Sequence, residues 1–219
     1  RTTTAAAAVN SSRAGAPRIN AAMERLLDRQ ALLDGPHAAL TVKLASSNTY
    51  SHDVLAATLA EYVGEIMPRQ HEDPNAKDTY YWFGDFSSPD SWRPLLDEYH
   101  RPSVSCVDDA ALSLGVGGAG SGVSFHYHAL GFSEVFHGRK KWFLYEGPPP
   151  DFRPEESVYY WARERYPLLP PEQRPLECTI HPGEVLYFPS LWYHATLNLD
   201  PYTSFISTFL PEPSSCTER

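Results

Sequence analysis

His126 and His128 are separated by one residue in Val123-Ser124-Phe125-His126-Tyr127-His128. On a β-strand, positions i and i+2 face the same side, so two imidazoles converge there with backbones about 7 Å apart. Imidazole ligates zinc, copper, iron and nickel. A third histidine, His194, lies in a run that carries Gly183, Pro189, Leu191 and Asn198, after the same Gly-led layout that Gly120 gives ahead of His126. A pair on an early strand and one histidine on a late strand is how a barrel sets three ligands on one face of a metal. Positions then stay open for a substrate and oxygen. His126, His128 and His194 are therefore the candidate metal ligands.

Other chemistry is weaker. Gly115-Val116-Gly117-Gly118-Ala119-Gly120 matches a dinucleotide fingerprint, which needs a helix immediately after it to meet the pyrophosphate. The next segment is strand-like, so a turn between strands is the better account. Asp108-Asp109 reads as a loop acid pair, and no Ser-His-Asp arrangement can be argued. His37, His52, His71, His100, His137 and His181 sit in polar or turn contexts and default to solvated positions.

The elements that must position the histidines follow from patterning. The chain has 219 residues, enough for a core without disulfide staples. Its formal charge of −9 argues against duplex DNA as a partner, and nothing points to nucleic acid. The 13% aromatic content excludes a disordered chain. Twenty prolines disfavour a helix bundle. No apolar stretch reaches the ~20 residues of a membrane span. Cys106, Cys178 and Cys216 are too scattered for a disulfide framework.

Residues 1–16 read as a disordered lead-in with a sequon at Asn10-Ser11-Ser12, and 211–219 as a tail. The chain starts on Arg rather than Met, which reads as a fragment or processed form with any signal segment upstream. Residues 17–33 and 54–67 read as helices, 40–44 and 80–83 as strands. A helix starting at Ser88-Pro89 carries Leu95, Leu96 and Tyr99. From 110 to 210 come eight short apolar runs, at 111–117, 123–128, 132–136, 141–145, 176–180, 184–188, 192–199 and 203–210. They predict a closed or sandwiched antiparallel sheet, interrupted by a helical insertion over 151–174. Residues 17–210 form one domain.

The stretches Phe125-His126-Tyr127-His128, Gly138 to Tyr145, Gly183 to Pro189 and Trp192 to Asp200 resemble the two motifs of the cupin superfamily, with Leu191 where cupins usually carry Gly. More closely they resemble the Jumonji C (JmjC) family of iron(II)- and 2-oxoglutarate-dependent oxygenases. One subgroup of that family shares Ser47-Asn48-Thr49-Tyr50, Phe83-Gly84-Asp85 and Leu176-Glu177-Cys178-Thr179-Ile180. The resemblance covers about residues 38–210. It implies a mainly β fold, a double-stranded β-helix (jelly-roll or cupin) barrel with flanking helices.

It also implies the site. His126 and His194 match the family's metal histidines, and His128 stands where most members have Asp or Glu. Lys140 matches the lysine that pairs with the far carboxylate of 2-oxoglutarate; otherwise Arg139-Lys140-Lys141 is solvated strand charge. Ser133 and Ser207 match positions that line the cosubstrate pocket. Glu134 is a fourth-ligand candidate by analogy with cupins, but its parity opposite Ser133 turns it away.

The implied activity is oxidative decarboxylation of 2-oxoglutarate coupled to hydroxylation of a protein, with iron(II) or another divalent metal. The alternatives are a catalytically inactive JmjC-fold interaction module with a vestigial or structural metal site, and a three-histidine cupin dioxygenase without 2-oxoglutarate. A protein substrate or partner and the lumen of the endoplasmic reticulum are the further implications.

Overall fold

The computed structural model describes residues 8–10, 18–47, 53–70, 79–84, 93–103 and 110–211. Four strands come first: β1 (Ala8–Asn10), β2 (Thr41–Ser46), β3 (Val54–Thr58) and β4 (Tyr80–Phe83). Eight follow: β5 (Ala111–Gly117), β6 (Gly122–His126), β7 (Gly131–His137), β8 (Lys140–Tyr145), β9 (Leu176–Ile180), β10 (Glu184–Phe188), β11 (Tyr193–Asn198) and β12 (Thr203–Phe209). These eight match the eight apolar runs to within two residues at each end.

The strands form two antiparallel sheets, ordered β1-β10-β7-β12-β5-β4-β2-β3 and β6-β11-β8-β9. From β5 onward the chain passes back and forth between them, as a jelly roll requires. Leu144, Trp142, Ile180, Leu186, Phe188 and Phe205 meet between the sheets. Tight turns drive the crossings. Gly138, between β7 and β8, has φ +70, and a Cβ there would lie 2.3 Å from the Tyr202 carbonyl oxygen. Only glycine satisfies both conditions.

The glycine-rich run ends β5 and turns directly into β6 with no helix, so no dinucleotide site forms there. The insertion holds a short helix at Val158–Tyr160, capped by the Ser157 hydroxyl accepting from the Tyr160 N–H, continued by a π-helical turn at Trp161–Arg165. It lays Trp161 edge-on against Phe125, at 4.8 Å between ring centroids, and covers the outer face of the smaller sheet.

Several boundaries differ from the patterning. Residues 17–33 are two helices, α1 (Ala21–Leu26) and α2 (Arg29–Asp34). The Asp28 carboxylate accepts from the Gln30 and Ala31 N–H groups and starts a new helix. Residues 54–67 split at Thr58. Its hydroxyl accepts from the Glu61 N–H while the Glu61 carboxylate accepts from the Thr58 N–H, a capping box that fixes the helix start. Before that point Val54 to Thr58 pairs with β2.

Within the expected lead-in, Ala8–Asn10 pairs with β10 as a strand, because the outer edge of β10 offers free backbone groups to pair with. The rest of residues 1–16 lies outside the described residues, as do the helix start at Ser88-Pro89 and the tail beyond 211. Arg93–Leu96 is a single 3-10 turn.

Candidate metal centre

β6 and β11 lie side by side in the smaller sheet, with His126 directly opposite His194. Their ring centroids are 4.3 Å apart. His128, just past the end of β6, folds over the pair, 5.3 Å from His126 and 4.6 Å from His194. One ligand atom from each of the three residues falls within 4.8 Å of the others. His194 is 2% exposed, and His126 and His128 are half-buried. The centre thus opens on the side of the His126–His128 pair.

Backbone carbonyls fix the tautomers. His126 Nδ1 donates to the Ser124 carbonyl at 2.8 Å, His128 Nδ1 to that of Ala129 at 2.7 Å and His194 Nδ1 to that of Trp192 at 2.9 Å. A carbonyl only accepts, so each proton sits on Nδ1 and each Nε2 carries a lone pair. Such second partners orient ligating histidines. His128 Nε2 and His194 Nε2 then face each other at 3.1 Å, lone pair to lone pair. Two nitrogens each ~2.1 Å from one ion are about 3.0–3.4 Å apart at ordinary coordination angles.

Burial lowers the basicity of all three rings. His126 is pushed down to about 4, His194 is held well below the usual range, and His128 is also lowered. The neutral state a metal needs is therefore set at neutral pH. The donor set fits a divalent cation.

Leu191 ties the two ligand segments together, its N–H donating to the His128 carbonyl. Its φ of +64 is left-handed, which is costly for a leucine. This is the position where cupins usually carry glycine, and the backbone shows why. Leu191 and Tyr127 stand exposed at the rim, 63% and 54% accessible.

A cavity of about 40 Å³ extends inward from the histidines, lined by Lys140, Trp142, Phe205 and Ser207 among others. Lys140 is central in its sheet, between β11 and β9, and only 2% exposed, so it is not solvated strand charge. Its Nζ donates to Asn198 Oδ1 at 3.2 Å and lies 3.8 Å from the centroid of the Phe205 ring. Asn198 in turn donates to Ser121 Oγ. Burial without an anion pulls the ammonium down to about 7.

Ser207 lines the cavity. Ser133 stands opposite it on β7, sharing its face, but is fully buried and not part of the lining. Glu134 points the other way, accepting from the Asn20 amide at 2.9 Å beneath α1, and lies outside the histidine cluster. Phe205 and Trp142 were not singled out in the sequence. Their signal was parity: Trp142 follows Lys140 by two and Phe205 precedes Ser207 by two. The Trp142 indole N–H has no acceptor among the described residues.

The cupin-like domain family model matches residues 59–214. The human JmjC domain-containing protein 8 is 49% identical over 173 residues, which cover 77% of this chain. The chain spans 64% of the length of that relative. The subgroup marked by Ser47-Asn48-Thr49-Tyr50 and the Leu176–Ile180 run is this one. The lysine-specific demethylase JMJ21 of Arabidopsis thaliana is 32% identical over 195 residues, 73% of this chain and 19% of that protein. The bifunctional arginine demethylase and lysyl-hydroxylase psr-1 of Caenorhabditis elegans is 32% identical over 106 residues, 40% of this chain and 26% of that protein.

Proposed function

The chain belongs to the cupin-like domain family, on its JmjC side, and from that premise we propose that it is an iron(II)- and 2-oxoglutarate-dependent oxygenase of protein-hydroxylase type with a three-histidine centre. The observation that carries this is the convergence of three Nε2 lone pairs whose Nδ1 protons are all held by carbonyls. Lys140 supports the cosubstrate, as a buried cation with no carboxylate beside it among the described residues that line the cavity. A carboxylate-bearing ligand would give it the partner that burial demands. Relatives named as a demethylase and a hydroxylase support the reaction class.

In this reading His126, His128 and His194 would hold iron(II), at which dioxygen would be the oxidant, taking two electrons from 2-oxoglutarate, which leaves as succinate and carbon dioxide, and two from a substrate C–H bond. Lys140, steadied by Asn198, receives the far carboxylate. Trp142 forms part of the cavity wall beside Lys140. Phe188 and Trp142, packed 5.2 Å apart, keep bulk water from the inner face of His194. The exposed Tyr127 and Leu191 rim is where a polypeptide substrate approaches. The purified protein should retain iron and release succinate from 2-oxoglutarate. Iron without succinate, in the presence of oxygen, would refute turnover.

A second reading, an inactive JmjC-fold interaction module, has its own support in His128. Two histidines and a carboxylate leave a divalent ion with one net positive charge, whereas three neutral histidines leave two. The extra charge tightens anionic chelators but opposes further oxidation of the metal. His128→Asp separates the readings. If the site is silenced by His128, the variant holds metal and gains succinate formation. If the site is adapted to three histidines, wild-type turnover disappears in the metal-loaded variant. The lumen of the endoplasmic reticulum is the proposed compartment, supported by the sequon at Asn10. Glycosidase-sensitive mobility of the secretory-expressed chain, lost in Asn10→Gln, tests it.

A further inference from the structure

Phe205 lines the cavity beside Lys140. Phe205 is 4% exposed, and its ring rests on the backbone of Gly115, its partner across β5. A Cβ on Gly115 would fall 2.2 Å from Phe205 Cζ and 2.6 Å from both Cε atoms. Only glycine leaves room for the ring. Phe83 stacks on it at 5.9 Å and an interplanar angle of 27°. The β12–β7 register shifts between Ser204 and Phe205, an irregularity of the kind that re-aims a side chain. Phe205 is thus held from several sides.

Its ring face lies 3.8 Å from Lys140 Nζ. An ammonium at that distance is attracted by the ring quadrupole, so Phe205 takes the place beside Lys140 that a carboxylate oxygen needs. The space inward of the histidines is narrow, about 40 Å³, and the ring occupies the place beside Lys140 within it. A small chelating oxyanion at the metal does not need that place. The far carboxylate of a five-carbon dicarboxylate does, and the seated ring competes for it.

We propose that Phe205 is a size gate on the anion site: seated on Gly115, it restricts the site to small chelating oxyanions, and a five-carbon dicarboxylate reaches Lys140 only by unseating it. The gate rests on the metal-centre reading above and adds a specificity residue to it. Its cost to the dicarboxylate is the lost contact of Lys140 with the ring and the lost stacking of Phe205 on Phe83.

Calorimetric titration of Mn(II)-loaded protein with oxalate and with 2-oxoglutarate tests it. Wild type should bind oxalate about tenfold or more tightly than 2-oxoglutarate. Phe205→Ala should raise 2-oxoglutarate affinity by about tenfold or more and leave oxalate within about twofold. Phe205→Leu, which keeps more of the core volume, should shift the ratio in the same direction if the alanine variant does not fold. Tight 2-oxoglutarate binding by wild type, or an unchanged ratio in both variants, would overturn the gate alone. Failure of Mn(II) to bind the wild type would overturn the metal centre and the gate with it.

Discussion

His126 and His194 sit across one ladder step, and each offers a single lone pair because its other nitrogen is engaged by a carbonyl. Neither ring can be replaced by a neighbour, since Glu134 faces away under α1. His126→Ala or His194→Ala should therefore strip most of the bound metal while leaving the β-sheet circular dichroism intact. Full metal occupancy in either variant, measured by elemental analysis, would reject the three-histidine centre. Lys140→Ala should act on a different ligand. A charge-assisted contact to a carboxylate contributes about 1.5–3 kcal/mol, on the order of ten- to a hundredfold in affinity. That loss should appear for 2-oxoglutarate and not for the metal. Equal 2-oxoglutarate affinity in wild type and variant would exclude Lys140 as the anchor.

At the scale of elements, the site is held by β6, β8, β11 and β12, and these were legible in the sequence. Their apolar runs are short, glycine-punctuated and strictly strand-like, so pattern and structure agree. The N-terminal third was less legible because two signals competed there. Leu55, Leu59, Tyr62, Val63 and Ile66 keep helical spacing through Val54–Thr58, but pairing with β2 overrides it. The deciding signal is Thr58-Leu59-Ala60-Glu61, a capping box that starts the helix only at Thr58. Likewise Asp28 was a visible N-cap inside an apparently continuous helix. Ser133 and the inner wall were not legible for another reason. Parity gives the face of a strand but not how far along the barrel a cavity reaches. Phe205 joined the site only through its seat on Gly115, a contact between strands distant in sequence.

The capping box permits a test confined to its element. Leu59, Tyr62, Val63 and Met67 are buried against the outer face of the larger sheet. Thr58→Ala removes the acceptor for the Glu61 N–H and should cost about 1 kcal/mol, within a usual range of ~0.5–2. The helix lies away from the histidines, so metal affinity should not change. Urea unfolding with and without metal measures both. A loss of metal affinity matching the loss of stability would mean that the helix and the centre are coupled.

For the whole molecule, buried ionisable groups set how stability follows pH. The three histidines have lowered basicity, His126 falling from 6.5 to about 4. Their contribution is present above about pH 6.5 and is lost as pH falls through the folded values. Glu134 runs the opposite way. Burial raises it from 4.5 to about 7, against donors from Asn20 and Tyr99 and the charge of Arg18. Its contribution is present below pH 4.5 and lost as pH rises through 7.

Lys140 falls from 10.5 to about 7 through burial, so its contribution grows as pH climbs from 7 toward 10.5. At pH 7 the falling contribution of Glu134 offsets the rising one of Lys140; by pH 8 the histidines and Glu134 have largely finished titrating, and Lys140 dominates the slope. The metal-free protein should therefore become more stable from pH 8 to 9, read as a rising urea midpoint. Lys140→Met should flatten that rise. An anion bound beside Lys140 favours the ammonium, so saturating metal and 2-oxoglutarate should flatten it in the wild type as well. By the same linkage, 2-oxoglutarate affinity should fall as pH rises above 7, by at most about tenfold per unit. A rise that persists unchanged in Lys140→Met would place the titrating group elsewhere in the barrel.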